Sequence, residues 1–179
     1  IKYNFALNGK LQNIIDRNGN SITLSYSGTG KLRTITDAVG HQFTLGYDAN
    51  GRLASLTDPI GRVTGYSFDS NNDLVSVTDA NGFTAQFFYD SKHRITKITN
   101  PRNFTLLENT YDGYNRVVRQ RDAKNNSTTF DYKTTQIETP WGTVTAYTGV
   151  TEVNDPMGYK TTHEYDGLSR LPRVVAADS

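Results

Sequence analysis

The chain has 179 residues, which is enough for one domain with a sizeable core. With 19 basic and 18 acidic residues it is almost neutral, so the sequence suggests neither a nucleic-acid-binding protein nor an acidic tail. The absence of cysteine excludes disulfides and thiolate sites, and no apolar run approaches the roughly 20 residues that would span a bilayer.

Two landmarks recur from the start of the chain: an aromatic residue and an Asp-x-x-Gly turn. Each series has intervals of 21 residues, apart from a single interval of 22. Because a fixed period of roughly 20 to 50 residues is the signature of repeat architectures, we predict one unit copied about seven times. The aromatic residues are Phe5, Tyr26, Tyr47, Phe68, Tyr89, Tyr111 and Tyr132, and the turn residues are Asp16, Asp37, Asp58, Asp79, Asn100 and Asp122, with Gly19, Gly40, Gly61 and Gly82 closing the turns.

Each unit is predicted to contain two strands, so the fold class is all-β. The downstream strand alternates apolar and polar residues, as in Ile22, Leu24 and Tyr26, which is typical of a half-buried strand. The upstream strand carries apolar residues three apart, as in Leu53 and Leu56. A regular strand cannot place both of these on one face, so its geometry needs a further element.

The turns supply that element. Residues 48–51 suit a type I turn closed by a left-handed Gly, and residues 58–61 suit the same turn with Pro at its second position. Leu53 and Leu56 then share the aromatic face only if a β-bulge lies between them, and we predict such a bulge in most units. The predicted opposite pairs are Asp48 and Arg52, Tyr47 and Leu53, and Leu56 and Thr64.

Hairpin therefore follows hairpin in one antiparallel meander. Residues 1–132 give about a dozen strands, and open sheets rarely exceed roughly ten without curling, so we expect the sheet to coil into a spiral. Rings of successive units lie about 9.6 Å apart, which is too far for direct stacking. We therefore interpret the repeat aromatics as core residues, with each ring packed on a Leu or Ile of the intervening strand.

The pattern loosens after Tyr132. Residues 139–142 keep the turn, and Asp155 to Gly158 restore it 16 residues later. We predict that the loop after Tyr147 has shrunk to about two residues at Thr148 and Gly149. The chain is thus one continuous repeat region over 1–179, with regular repeats in 1–132, a shortened repeat in 133–164 and a partial repeat in 165–179 that begins at Tyr165. Both ends are expected to be cuts through a longer protein.

The motif Y-D-x-x-G-R-L followed by T-D-P-x-G-R, in residues 47–62, resembles the RHS or YD repeat. This repeat occurs in bacterial polymorphic toxins, toxin-complex C components, wall-associated proteins and animal teneurins, and the resemblance covers essentially the whole chain. It implies a secreted or cell-surface β-sheet, most often bacterial, that spirals into a hollow shell around a toxin. Departures are Ser27 and Lys133 for Asp, Asp73 for the basic residue and Asn100 for the turn Asp. The self-cleaving plug of the family is not visible, so that activity is not carried over.

No catalytic, cofactor or metal site is predicted. Pairs such as Asp48 with Arg52 are interpreted as solvent-exposed cross-strand pairs. The Asp-rich turns lack the ligand run of a calcium loop, and residues 27–31 lack the spacing of a phosphate loop. His41, His93 and His163 fall in different repeats, which favours neither zinc nor a catalytic triad.

We therefore expect a non-catalytic shell segment that encapsulates or displays a toxin or effector domain. Its partners would be neighbouring repeats of the parent chain and the enclosed domain, with no nucleic acid, no membrane span and no cofactor. The alternative is a cell-surface adhesin that binds a carbohydrate or receptor. Trp141, at a turn apex of the irregular unit, is the candidate for ligand stacking in that case.

Overall fold

The computed structural model describes residues 1–166, 171 and 173–176, with only the backbone described at 135, 137 and 144–147. This part of the chain contains sixteen strands and no helix, and hence no helix long and apolar enough to cross a membrane. Each strand pairs with the next one in the chain, so spatial order follows sequence order. The prediction of an all-β antiparallel hairpin meander is confirmed.

The chain divides into two compact units, Ile1–Gln86 and Phe87–Ser179, with the boundary inside one strand. The first unit contains β1 (Lys2–Phe5), β2 (Leu11–Ile15), β3 (Ser21–Tyr26), β4 (Leu32–Thr36), β5 (Gln42–Tyr47), β6 (Leu53–Thr57), β7 (Val63–Phe68), β8 (Leu74–Thr78) and the start of β9 (Thr84–Tyr89). The second contains β10 (Ile95–Thr99), β11 (Thr105–Tyr111), β12 (Val117–Asp122), β13 (Ser127–Thr139), β14 (Gly142–Asn154), β15 (Lys160–Glu164) and β16 (Arg173–Ala176).

The loops have the predicted three-residue geometry. Asp48 N–H donates to the carbonyl of Arg52 at 2.9 Å, and Gly51 N–H donates back to the carbonyl of Asp48 at 2.9 Å. Gly51 has a φ of +80°, the left-handed conformation that a Gly adopts without a Cβ penalty. The same position is also filled by residues that tolerate this conformation less well, namely Asn72, His93, Asn103, Asn115 and Asn125.

A β-bulge follows each of these aromatic positions, as predicted. Tyr47 lies opposite Leu53, and Gly46 lies opposite Ser55, so Ala54 is the extra residue. Leu56 then lies opposite Leu45 on one side and Thr64 on the other, which puts Leu53 and Leu56 on the same face. Equivalent register shifts occur at Phe5, Tyr26, Phe68 and Tyr111.

The sheet has an apolar face and a hydroxyl-rich face. On the apolar face Leu24 lies opposite Ile35, which lies opposite Phe43; on the other face Ser25 and Thr34 pair in the same way. No hydrophobic side chain in the described part of the chain is buried. The interpretation of the repeat aromatics as core residues is therefore wrong, because a single layer of sheet covers only one side of each ring.

The irregular segment also differs from its prediction. β13 and β14 form one long hairpin that reverses at Pro140 and Trp141, and the chain runs through Thr148 and Gly149 without reversing. There Thr148, Gly149 and Val150 bulge opposite Lys133, and the left-handed Gly149 accepts a 2.6 Å hydrogen bond from Tyr165 N–H. The predicted two-residue loop is wrong.

The spacing of the turns fits this long hairpin. Asp122 and Asp155 are 33 residues apart, which is the 21-residue period with 12 residues added. Residues 133–164 therefore contain a lengthened hairpin instead of a shortened repeat.

Candidate functional site

The densest polar contacts lie in the loops that follow the repeat aromatics, at residues 6–10, 27–31, 48–52, 69–73, 90–94 and 112–116. We call these the aromatic loops. The loops at the other ends of the strands, at residues 16–20, 37–41, 58–62, 79–83, 100–104, 122–126 and 155–159, are the opposite loops. Both sets share one backbone geometry, but their side chains make different contacts.

In the aromatic loops a basic side chain links its own unit to the next. The guanidinium of Arg52 lies over the ring of Phe68, 4.5 Å from its centroid. Its Nε donates to Asp48 Oδ2 at 2.7 Å, and its Nη1 donates to Asn72 Oδ1 at 2.8 Å. One cation therefore contacts the carboxylate of its own loop, the following aromatic ring and the following loop.

The same arrangement recurs in both units. Lys10 donates to the carbonyl of Gly30 at 2.7 Å, and Lys31 donates to that of Gly51. Arg94 donates to the carbonyl of Asp112 at 3.2 Å. The stacked pairs are Lys10 on Tyr26 at 5.0 Å, Lys31 on Tyr47 at 5.0 Å, Arg94 on Tyr111 at 4.3 Å and Arg116 on Tyr132 at 4.1 Å. Such cation–ring contacts are typically worth about 0.5–1 kcal/mol at exposed sites.

The tyrosine hydroxyls add a second link. Tyr47 Oη donates to the carbonyl of Leu32 at 2.8 Å. The paired register of β4 with β5 ends at Thr34 and Thr44, so this carbonyl lies beyond it. The hydroxyl thus supplies a donor to a backbone acceptor that the ladder does not reach. Equivalent bonds join Tyr26 to Leu11, Tyr111 to Ile95 and Tyr132 to Val117 at 2.8, 2.7 and 2.9 Å.

These contacts correct the interpretation of the Asp–Arg pairs as solvent-exposed. The side chains of Arg52 and Asp48 are 23% and 25% exposed. Arg62, which pairs with Asp58 at 2.6 Å in an opposite loop, is 56% exposed and fits the original interpretation. In the fourth aromatic loop Asp73 occupies the position of the basic residue.

The turn carboxylates serve as backbone acceptors. Asp58 Oδ1 accepts from Ile60 N–H at 3.0 Å and from Arg62 N–H at 2.9 Å. Asn100 keeps this pattern through its amide oxygen, which explains why an Asn fits there. The predicted turn residues Asp16, Asp37, Asp79, Asp122 and Asp155 accept in the same way, and Gly19, Gly40, Gly61, Gly82 and Gly158 all have positive φ.

Hydrogen bonds to these carboxylates lower their pKa. The side-chain hydrogen bond from Arg94 is the largest influence on Asp90, whose pKa falls from 3.8 to about 2. At Asp16 the leading cause is the hydrogen bond from the Asn20 side chain, and at Asp48 it is the backbone N–H of Arg52. The carboxylates are thus held in the charged form that the turns use.

The other candidate residues lie apart from one another. His41 contacts Asp37 at 3.0 Å in an opposite loop, whereas His163 on β15 lines an open groove of about 700 Å³ with Phe130 and Tyr132. Trp141 is 94% exposed at the apex of the β13–β14 hairpin. Among the residues whose side chains are described, no three potential metal ligands form a group.

Comparisons with known proteins point to one family. A family model described as the RHS repeat matches residues 47–83 and 68–105. No curated protein sequence matches the chain. Among solved structures, the Tc holotoxin pore of Photorhabdus luminescens is similar over 99% of this chain and 12% of its own, with 15% identity and a TM-score of 0.59.

A TcdB2–TccC3 structure without its hypervariable C-terminal region is similar over 97% of this chain and 11% of its own length, with 14% identity and a TM-score of 0.62. The chain therefore spans about a tenth of the length of these proteins. Identities this low show a shared fold.

The loop contacts predict that two outwardly similar arginines differ in importance. We expect Arg52→Ala to lower the free energy of unfolding by about 1–2 kcal/mol, because it removes a ring contact and hydrogen bonds to the next unit. Arg62→Ala is the matched control and should have little effect, because this side chain contacts only its own loop. Urea unfolding monitored by circular dichroism measures both, and equal losses would contradict the role of the inter-unit contacts.

The lowered pKa values predict acid sensitivity. Because the folded carboxyls have a lower pKa than the unfolded ones, their stabilisation is present above the ordinary value of 3.8 and is lost as the pH falls towards about 2. Asp90→Asn should reduce the dependence of stability on pH over this window, since an amide keeps the turn bonds and does not titrate. Urea unfolding of both proteins across the window tests this, and an unchanged slope would argue against Asp90.

Proposed function

Because this chain is an RHS/YD-repeat protein, we propose that it is a non-catalytic wall segment of a shell that encapsulates or displays a toxin or effector domain. The observation that carries the proposal is the structural likeness to Tc toxin chains over nearly all of this chain and only 11–12% of theirs. We propose a secreted or cell-surface location, in a bacterium. The partners are further repeats of the parent chain and the enclosed domain.

The contacts in the aromatic loops suit a wall. Each unit carries the cation that reaches the next loop and the aromatic ring that receives the cation of the preceding unit, as Arg52 and Phe68 illustrate. The same contact therefore joins each further unit, so the wall can lengthen by repetition. Because the backbone of the sheet is hydrogen-bonded throughout, such a wall excludes proteases and performs no reaction of its own.

The proposal can be tested in the full-length protein by limited proteolysis. We expect the effector domain to be cleaved much more slowly in the intact protein than when it is expressed alone. Combining Arg52→Ala with Lys31→Ala should speed its cleavage, because both changes loosen the loops of the wall. Arg62→Ala is the control and should leave the rate unchanged. Cleavage of the enclosed and the free effector at equal rates would rule out encapsulation.

A second candidate function is adhesion, in which the repeats display a surface for a carbohydrate or a receptor. The observation that favours it is Trp141, which stands almost fully exposed at the end of a hairpin of two 13-residue strands. A Trp ring offers a large apolar face and an N–H donor, which suits stacking on a ligand.

The adhesin candidate predicts that one residue controls binding. Trp141→Ala should abolish any signal on a glycan array or in a receptor pull-down, while Phe104→Ala, which removes a ring that is 64% exposed in an opposite loop, should not. Absence of binding by the unaltered protein, or equal binding by the two variants, would remove this candidate.

A further inference from the structure

The tetrapeptide Asp-Ala-Asn-Gly occurs twice in the first unit, at residues 48–51 and 79–82. Both copies form the same loop. Gly51 N–H donates to Asp48, and Gly82 N–H donates to Asp79, each at 2.9 Å. The two glycines have φ values of +80° and +85°, and Asn50 and Asn81 are both exposed. The protein therefore contains two chemically identical Asn-Gly steps in the same local conformation.

The two copies differ in what surrounds them. Residues 48–51 belong to an aromatic loop, where the Lys31 ammonium donates to the Gly51 carbonyl and Arg52 binds Asp48. Residues 79–82 belong to an opposite loop, where the position of Arg52 is taken by Phe83, whose side chain has no donor. The first loop is thus tied to the preceding unit, and its counterpart lacks that arrangement.

Asn-Gly steps undergo a known spontaneous reaction. The backbone nitrogen of the Gly loses its proton and attacks the side-chain carbonyl carbon of the Asn. A carbon–nitrogen bond forms in a succinimide ring, and the bond to the side-chain nitrogen breaks as ammonia leaves. Water then opens the ring at either carbonyl, which yields aspartate or isoaspartate. In both loops the attacking nitrogen donates to an Asp carbonyl, so the loop must first open locally.

We propose that Asn81 is a site of spontaneous conversion to aspartate and isoaspartate, whereas the chemically identical Asn50 is protected by the contact of Lys31 with its loop. Opening residues 48–51 breaks a charge-assisted hydrogen bond to a neighbouring unit in addition to the bonds of the turn. Opening residues 79–82 breaks only the bonds of the turn that both loops share. The fraction of open loop, and with it the rate of cyclisation, is therefore higher at Asn81.

The modification would disrupt the hairpin between β8 and β9. Isoaspartate inserts one additional carbon into the main chain, whereas the loop depends on Asp79 Oδ1 accepting from Asn81 N–H at 2.8 Å and from Phe83 N–H at 3.0 Å. Asn18 precedes Gly19 in another opposite loop and belongs to the same class. The opposite loops are thus the side of the sheet at which the first unit ages chemically.

The experiment compares the two sites within one molecule. The folded protein is incubated at mildly alkaline pH, and peptide mass spectrometry follows the conversion of each Asn. We expect Asn81 to react about tenfold faster than Asn50, which corresponds to about 1.4 kcal/mol in the free energy of loop opening. In concentrated urea the two rates should converge, because the local sequences are the same.

A variant tests the cause of the protection. Lys31→Met removes the ammonium and should raise the rate at Asn50 towards that of Asn81, while the rate at Asn81 stays unchanged. Equal rates in the folded wild-type protein, or no reaction at Asn81 before unfolding, would overturn the proposal. An unchanged rate at Asn50 in a folded Lys31→Met protein would overturn the assigned cause. If this variant does not fold, the wild-type comparison in buffer and urea still decides whether the two sites differ.

Discussion

The cation that joins each aromatic loop to the next unit is the interaction on which the structure depends. In the described part of the chain no hydrophobic side chain is buried, so the apolar face yields only part of the stabilisation that full burial would give. Polar contacts between loops have to supply what a core normally supplies. Arg52 shows how, since one guanidinium contacts its own carboxylate, the ring of Phe68 and the loop that contains Asn72.

The local features of the fold could be predicted from the sequence because they depend on neighbouring residues. The turns follow from Asp and Gly at fixed positions, and the bulge follows from the spacing of Leu53 and Leu56. The long hairpin escaped prediction because residues 139–142 resemble the other turns, and spacing alone does not show that the chain runs straight through Gly149.

The loop contacts were missed for a different reason. They join residues 16 or 17 positions apart in different units, so they become visible only once the register is known. A signal was nevertheless present, since a basic residue follows most loop glycines at a constant distance before the next aromatic, as Lys31 does before Tyr47. The repeat tyrosines were taken for core residues because a period of two shows which face a ring lies on but not whether anything covers it.

The two sets of loops have different roles in this account. The aromatic loops tie unit to unit, which suits a wall built by repetition, whereas the opposite loops make local turns and carry the more exposed charges. This difference links the proposed wall to the proposed chemical ageing of Asn81. Both proposals rest on the strength of the contacts between aromatic loops.

The most direct measurement of that strength exchanges the hydroxyl group between two neighbouring units. Tyr47→Phe removes the bond to the carbonyl of Leu32, and Phe68→Tyr adds a hydroxyl where the carbonyl of Leu53 occupies the equivalent position. The account predicts that the first change lowers the free energy of unfolding by about 1 kcal/mol and that the second raises it by up to about the same amount. Urea unfolding in which neither change has an effect, or in which both are destabilising, would contradict it.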